Sequence, residues 1–185
     1  MSHQNILDPG KTALIVVDIQ EGFRNAIPDF AMIASRASTV VRGFQALDLP
    51  VLITEQYPKG LGRTAEEVQF ILPNEFEAFS KTAFSSCGSD LFLEKLNDLG
   101  IRQVVLCGLE THVCVSQTAH DLIENGLQVQ LLIDVVGSRF DHDKRAGLEK
   151  MNNAGVISSS VEMVFFELMR DAKHEKFKEI QGLIK

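Results

Sequence analysis

The sequence has few cysteines, and their spacing suits neither pairing nor metal binding. Cys87, Cys107 and Cys114 are odd in number and form no CxxC pair, which argues against a disulfide framework and a cysteine-based zinc site. Such a chain is typical of a reducing compartment. The N-terminal stretch MSHQNILDPGK also lacks the basic and apolar regions of a secretory signal. We therefore predict a cytoplasmic protein.

Several functional motifs are absent as well. Neither GxGxxG after the first predicted strand nor GxxxxGKS/T occurs, which disfavours a nucleotide cofactor, and there is no HExxH metal motif. No apolar run approaches the ~20 residues of a membrane span. The net charge is −7 and basic residues do not cluster, so nucleic acid is a poor candidate partner. These absences predict a protein that acts on a small-molecule substrate, with no cofactor, metal, membrane or nucleic-acid partner.

The chain does contain a regular alternation of apolar runs and helical patterns. With 185 residues, 45% of them apolar, it is long enough for one domain over residues 1–185 with a full core. TALIVVD (residues 12–18) is a continuous apolar run without polar alternation, which is typical of a strand buried on both faces. LQVQLLID (127–134) is predicted as another strand that also ends in an acid. The alternation predicts a three-layer α/β/α fold with a mostly parallel, Rossmann-like sheet.

The predicted elements follow from these patterns and from Gly, Pro and capping residues. Strands are predicted over residues 12–18, 51–55, 76–81, 102–107, 127–134 and 155–158, and helices over 31–48, 64–71, 89–99, 111–126, 142–154, 160–170 and 173–184.

Cys114 lies near the start of a predicted helix that follows a buried strand. Thr111 is a plausible N-cap, which would make Cys114 the N3 residue. The positive end of the helix dipole and the unpaired N–H groups there favour the thiolate, the reactive form of cysteine. This position makes Cys114 a candidate nucleophile. The alternative is that Cys114 is a small buried residue of an amphipathic helix.

Two further polar residues are predicted at the carboxyl ends of strands. Asp18 follows the first strand and Lys81 follows a short strand after residue 76. Asp18 would take the thiol proton of Cys114, and Lys81 would hold Asp18 ionised and favour the thiolate. The thiolate would then attack a carbonyl carbon to give an acyl-enzyme that water cleaves. Taken singly, Asp18 could be a cap and Lys81 a solvated surface charge.

Three segments resemble the motifs of a known family. IVVDIQEGF with Asp18, SKTAFSSC with Lys81 and GLETHVCVSQTA with Cys114 resemble, in this order, the isochorismatase-like cysteine hydrolases. TEQYPKGLGRT and the C-terminal stretch resemble the metal-free isochorismatase-domain-containing subgroup. The resemblance implies a six-stranded isochorismatase fold and a catalytic triad of these three residues. Family analogy and the apolar C-terminal helices also imply a homodimer or higher homo-oligomer.

The resemblance further implies an oxyanion hole. It implies a cis peptide bond between Leu109 and Glu110, so that the backbone N–H groups of Glu110 and Cys114 would face the oxyanion. The metal-binding Asp and His residues of family nicotinamidases have no counterpart in EQYPKGLGR, whereas true isochorismatases lack the cysteine. Both departures favour metal-independent acyl chemistry. A carboxylate beside a thiolate is unfavourable, so Glu110 is expected to face outward or to pair with a cation.

The resulting prediction is a hydrolase of a small amide-like substrate that acts through a covalent acyl intermediate. The candidate pocket residues are Gln20, Phe23, Gln56, Tyr57, Phe84 and Leu109, although core packing would explain the aromatic ones equally well. Three alternatives remain open. His112 could be the base for Cys114, Cys87 or Cys107 could make the protein a thiol redox protein, or the fold could persist as a binding or scaffold protein without turnover.

Overall fold

A sheet of six strands forms the centre of the computed structural model, which describes residues 3–185. The strands are β1 (Thr12–Val17), β2 (Val51–Gln56), β3 (Phe79–Lys81), β4 (Gln103–Leu109), β5 (Gln128–Gly137) and β6 (Ile157–Ser159). Their order is β3-β2-β1-β4-β5-β6, and every neighbouring pair is parallel. The predicted α/β fold with a six-stranded, mostly parallel sheet is confirmed.

Helices cover both faces of the sheet. They are α1 (Phe30–Ala46), α2 (Pro58–Leu61), α3 (Glu66–Gln69), α4 (Asp90–Asp98), α5 (Ser116–Glu124), α6 (Asp141–Asn153), α7 (Val161–Met169) and α8 (Phe177–Ile184). One apolar core contains residues of α1, α7 and α8, and a second contains residues of α4, α5 and α6. The molecule therefore has the three layers predicted from the alternating pattern.

β1 shows why the first apolar run has no polar alternation. Leu14 and Val16 pack into the core beneath α1, whereas Ile15 and Val17 pack into the core on the opposite face. All six residues of the strand are buried. Burial of one such aliphatic side chain contributes about 1.5–3 kcal/mol, so β1 anchors both cores at once.

Two local predictions were wrong. The helix predicted over residues 64–71 is only α3, because Thr64 extends instead to form an antiparallel bridge with Gln20. Thr111 is not an N-cap, because its hydroxyl donates to the Gly137 carbonyl at 3.0 Å. Glu110 takes the N-cap position, and Thr111–Val115 form a π-helical turn that leads into α5. None of the helices in residues 3–185 has the length and hydropathy needed to cross a bilayer.

Gly108 lets β4 approach the end of β1. Its φ is +134°, and a Cβ atom there would clash with the backbone carbonyl of Val17. We expect Gly108→Ala to lower the free energy of unfolding by about 3 kcal/mol, because a strained φ and an overpacked core add. Urea titration measures this loss. Gly182→Ala is the matched control, because a Cβ atom there meets no neighbour within 4 Å; equal effects of the two changes would contradict the argument.

Candidate active site

The candidate site lies at the carboxyl edge of the sheet, where the strand order reverses between β1 and β4. Asp18 directly follows β1, Lys81 is the last residue of β3, and Cys114 lies in the π-helical turn after β4. In open parallel sheets, such a switch point leaves a crevice in which side chains from several strands converge. The structure brings these three residues together as the sequence pattern predicts.

Lys81 is buried and fully engaged. Its Nζ atom lies 2.6 Å from Asp18 Oδ2, and it also donates to Gln56 Oε1 and to the Phe84 carbonyl, both at 2.9 Å. Only 1% of its side chain is exposed. A buried ammonium requires such acceptors, because an unpaired charge out of water is very costly. The alternative that Lys81 is a solvated surface charge is therefore wrong.

Asp18 is fully buried, and its backbone is strained. Its φ is +53°, in the left-handed region that residues other than glycine seldom adopt. Oδ2 binds Lys81, and Oδ1 accepts a hydrogen bond of 2.7 Å from the Thr54 hydroxyl. Burial and then the negative charge of Asp18 raise the pKa of the Cys114 thiol. Asp18 therefore acts on both other members of the predicted trio.

The environment of Cys114 differs from the one expected at a helix start. Burial first, and then the negative charge of Asp18, raise the pKa of the thiol to about 12, whereas the charge of Lys81 lowers it. The prediction that position alone favours the thiolate was wrong, because desolvation exceeds the effect of the helix terminus. At neutral pH the sulfur holds its proton and donates it toward Asp18. This arrangement allows a proton to leave the thiol as the sulfur attacks.

Glu110 turns its carboxyl group inward, where it pairs with a cation. Oε1 lies 2.5 Å from Arg139 Nε, and Oε2 lies 3.5 Å from His112 Nδ1. The Glu110 backbone N–H donates to the sulfur of Cys114 and lowers the pKa of the thiol. The peptide bond between Leu109 and Glu110 is cis. Glu110 was expected either to face outward or to pair with a cation, and the ion pair with Arg139 is the second arrangement.

His112 is poorly placed to be the base for Cys114. Its Nδ1 lies 3.1 Å from Ser138 Oγ, and its Nε2 lies 3.7 Å from Asp143 Oδ2. Both ring nitrogens therefore have partners on the side of β5 and α6.

Among residues 3–185, no group of three or more His, Cys, Asp or Glu side chains could hold a metal ion.

The expected pocket residues differ in their positions. Gln20 was wrongly placed in a pocket wall, because it is fully buried and its amide binds the backbone of Gln56 and Gly62 at 2.7–3.1 Å. Leu109 was also wrongly placed there, because it is fully buried in the core beneath α1. Phe23 packs against the same core.

The remaining three pocket candidates border the trio. Gln56 accepts a hydrogen bond from Lys81, and its Nε2 atom donates to the Thr82 carbonyl at 2.8 Å. Tyr57 and Phe84 are each 54% exposed. These two aromatic rings are therefore free to contact a ligand at the rim of the site.

Sequence reasoning missed three buried hydroxyl groups near Asp18. Thr54, Ser86 and Thr118 are each fully buried and are hydrogen-bonded to one another, and Thr54 binds Asp18. Thr54 did carry a signal, because it is a polar residue inside the apolar run of β2. Ser86 and Thr118 carried none that distinguishes them from ordinary helix-terminal and helical residues.

Comparison with known proteins gives consistent matches. A family model described as Isochorismatase domain matches residues 12–163. Isochorismatase domain-containing protein 1 of Danio rerio is 41% identical over 179 residues, which cover 97% of this chain and 62% of that protein. The chain therefore spans less than two thirds of the length of this relative.

Solved structures agree. A structure described as MAR1 ribonuclease from Caenorhabditis elegans superposes with a TM-score of 0.92 at 37% identity, covering 97% of this chain and 92% of the other. The YcaC gene product of Escherichia coli, described as an octameric hydrolase of unknown specificity, superposes with a TM-score of 0.82 at 20% identity, covering 100% and 97% of the two chains. The family model covers most of the chain, and the identities reach about 40%, so the chain belongs to the isochorismatase family.

Proposed function

We propose that the protein is a cysteine hydrolase that cleaves a small amide-like C–N bond through a thioester intermediate. One observation carries this proposal: the Asp18 carboxylate is held by Lys81 at 2.6 Å, and its charge acts on the buried thiol of Cys114. A nucleophile, a proton acceptor and a charge that keeps the acceptor ionised are the parts that acyl transfer by a thiol requires.

In the first half of the reaction, the sulfur of Cys114 attacks the carbonyl carbon as its proton passes to Asp18. The backbone N–H groups of Glu110 and Cys114 would stabilise the oxyanion of the tetrahedral intermediate. That of Glu110 already donates to the sulfur, so it faces the reacting centre. Asp18 then returns the proton to the nitrogen, the C–N bond breaks, and the amine leaves a thioester behind.

In the second half, water attacks the thioester while Asp18 takes its proton. The C–S bond breaks, Cys114 recovers the proton, and a carboxylic acid is released. Lys81 holds the carboxylate of Asp18 through the contact of 2.6 Å between its Nζ atom and Oδ2. The chain's own groups supply the nucleophile, the base and the oxyanion donors, so each step proceeds without a metal or a cofactor.

The setting of the site limits the substrate. Only 5% of Cys114 is exposed, so a narrow acyl group fits better than a branched or polymeric one. Tyr57 and Phe84 at the rim would contact the rest of the molecule. Cys107 is fully buried, so an oxidant does not reach its sulfur, which disfavours a redox role for that thiol. The proposal assumes a reduced, cytoplasmic environment.

RNA cleavage is a second candidate, because the C. elegans relative at 37% identity is described as a ribonuclease. The net charge of −7 favours the small amide, since RNA binding depends on cationic groups.

Self-association completes the proposal. Met32, Ile133, Met163 and Phe166 are 40–55% exposed, and burying such side chains between copies of the chain would be favourable. The E. coli relative is described as octameric. We therefore propose a homo-oligomer.

The test is to trap the thioester. The wild-type protein is mixed with a panel of small primary amides, quenched in acid and analysed by mass spectrometry. We expect an acyl adduct on the peptide that contains Cys114, and we expect amine release to fall at least 1,000-fold in Cys114→Ala but little in the control Cys87→Ala.

Two outcomes would count against the proposal. Amine release that survives in Cys114→Ala would exclude a cysteine mechanism. No turnover of any amide, together with an RNA oligonucleotide that the wild-type protein cleaves, would favour ribonuclease activity; if neither is turned over, a binding or scaffold role is favoured.

A further inference from the structure

A chain of buried hydroxyl groups runs from α5 to the carboxylate of Asp18. The Thr118 hydroxyl donates to Ser86 Oγ at 3.2 Å, and the Ser86 hydroxyl donates to Thr54 Oγ1 at 3.4 Å. The Thr54 hydroxyl then donates to Asp18 Oδ1 at 2.7 Å. The chain links three segments: α5, the turn before α4, and β2.

The direction of these hydrogen bonds is fixed at the Asp18 end. A carboxylate can only accept, so the single hydrogen of the Thr54 hydroxyl is committed to Asp18 Oδ1. Thr54 must therefore accept from Ser86, and Ser86 must accept from Thr118, whose Oγ1 also accepts from the Ser86 backbone N–H at 2.9 Å. Each later hydroxyl then both accepts and donates, so every O–H bond in the chain points toward Asp18. Hydrogen bonds aligned in this way strengthen one another.

The chain of hydroxyl groups ends at the carboxylate of Asp18, which in the proposed reaction accepts the proton of Cys114. Oδ2 of Asp18 is occupied by Lys81, so the contact of Thr54 with Oδ1 fixes the plane of the carboxylate. The hydroxyl is fully buried, where a hydrogen bond to a charge has its greatest effect. Lys81 and Cys114 are the titratable groups that contact Asp18, from β3 and from the turn after β4.

We propose that Thr54, oriented by Ser86 and Thr118, is a positioning residue that holds the Asp18 carboxylate as the proton acceptor for Cys114. This inference rests on the proposed function. Thr54 would touch neither substrate nor sulfur, and it would act only through Asp18. Its hydroxyl holds Oδ1 at 2.7 Å, and its loss would shift the acid limb of the Cys114 reaction to higher pH, because a hydrogen bond to a carboxylate favours the charged form.

The test is the pH dependence of Cys114 alkylation by iodoacetamide. Alkylation forms a C–S bond and releases iodide, while the thiol proton leaves through Asp18, so no substrate is needed. Rates are measured from pH 4 to 8 on the Cys114 peptide by mass spectrometry. We expect the acid-side midpoint to rise by about 1 pH unit in Thr54→Val, to stay at the wild-type value in Thr54→Ser, and to rise by less in Ser86→Ala.

Thr39→Val is the matched control, because the Thr39 hydroxyl donates only to the Ser35 carbonyl within α1. Thermal unfolding of each variant separates a fold defect from a positioning effect. A Thr54→Val midpoint equal to that of the wild type would overturn the inference, even if that variant were less stable. If Thr54→Val does not fold, the Ser86→Ala result decides, and an unchanged midpoint there overturns the inference.

A different result of the same experiment would contradict the proposed function. If the wild-type Cys114 peptide is not alkylated between pH 4 and 8, the proposal of a Cys114 nucleophile is lost, whatever Thr54 does. If Cys114 is alkylated but Thr54→Val matches the wild type, only the positioning role is lost.

Discussion

Replacing Asp18 with Asn is expected to lower the pKa of the Cys114 thiol. Burial and the charge of Asp18 together raise the pKa of this thiol to about 12. Asn keeps the shape of the side chain but removes its negative charge, so Lys81 then acts on the sulfur unopposed. A charge at this range moves a pKa by about 1–3 units, so the thiolate fraction at pH 9 should rise at least 10-fold.

The ultraviolet absorbance of the thiolate, titrated against pH as the difference between each protein and its Cys114→Ala counterpart, checks this result. Asp121→Asn is the control, because Asp121 raises the pKa of Cys87 and not that of Cys114. The same Asp18→Asn protein should lose amide turnover by about 100-fold or more, because general acid–base catalysis contributes that much. An unchanged or higher thiol pKa in Asp18→Asn would mean that the Asp18 charge does not act on the sulfur.

Replacing Lys81 with Met is expected to cost about 3–5 kcal/mol of unfolding free energy. The change leaves the carboxylate of Asp18 buried without its ion partner at 2.6 Å. It also removes the donor to Gln56 Oε1 and to the Phe84 carbonyl. The loss comes mainly from the uncompensated charge, so removing that charge too should restore part of the stability.

A double-mutant cycle measures this coupling. Urea unfolding of Lys81→Met, Asp18→Asn and the double variant should show the double variant to be more stable than Lys81→Met alone. Lys11→Met is the control, because Lys11 and Asp8 form an exposed pair at 3.5 Å that should contribute under about 1 kcal/mol. A loss below 1 kcal/mol in Lys81→Met would contradict the buried ion pair.

The long helices were predictable because their apolar residues recur at helical spacing. β1 follows from a continuous apolar run that no helix period explains, and Gly126 ends α5 with φ +79°, as its sequence position indicates. The short helices α2 and α3 lie in a segment fixed by tertiary contacts. Gln20 binds the backbone of Gln56 and Gly62, and no local pattern reveals a hydrogen bond across 42 residues.

The candidate site was predictable in its membership but not in its energetics. Asp18, Lys81 and Cys114 follow strands that the sheet aligns, and family motifs mark each of them. The high thiol pKa depends on how deeply the turn after β4 is buried. The side chains around Cys114 that bury it come from distant segments, so its reactivity could not be predicted from the helix start alone.

The central place of β1 in the sheet has a consequence for how the site can arise. Asp18 and Lys81 meet across 63 residues of chain, and Cys114 comes from a third segment beyond β4. Each contact requires the closing of a long loop, whose entropic cost only the packed cores offset. No short peptide taken from the chain could carry the trio, and grafting it onto another scaffold would require three aligned strand ends. The chemistry belongs to the whole sheet rather than to any one motif.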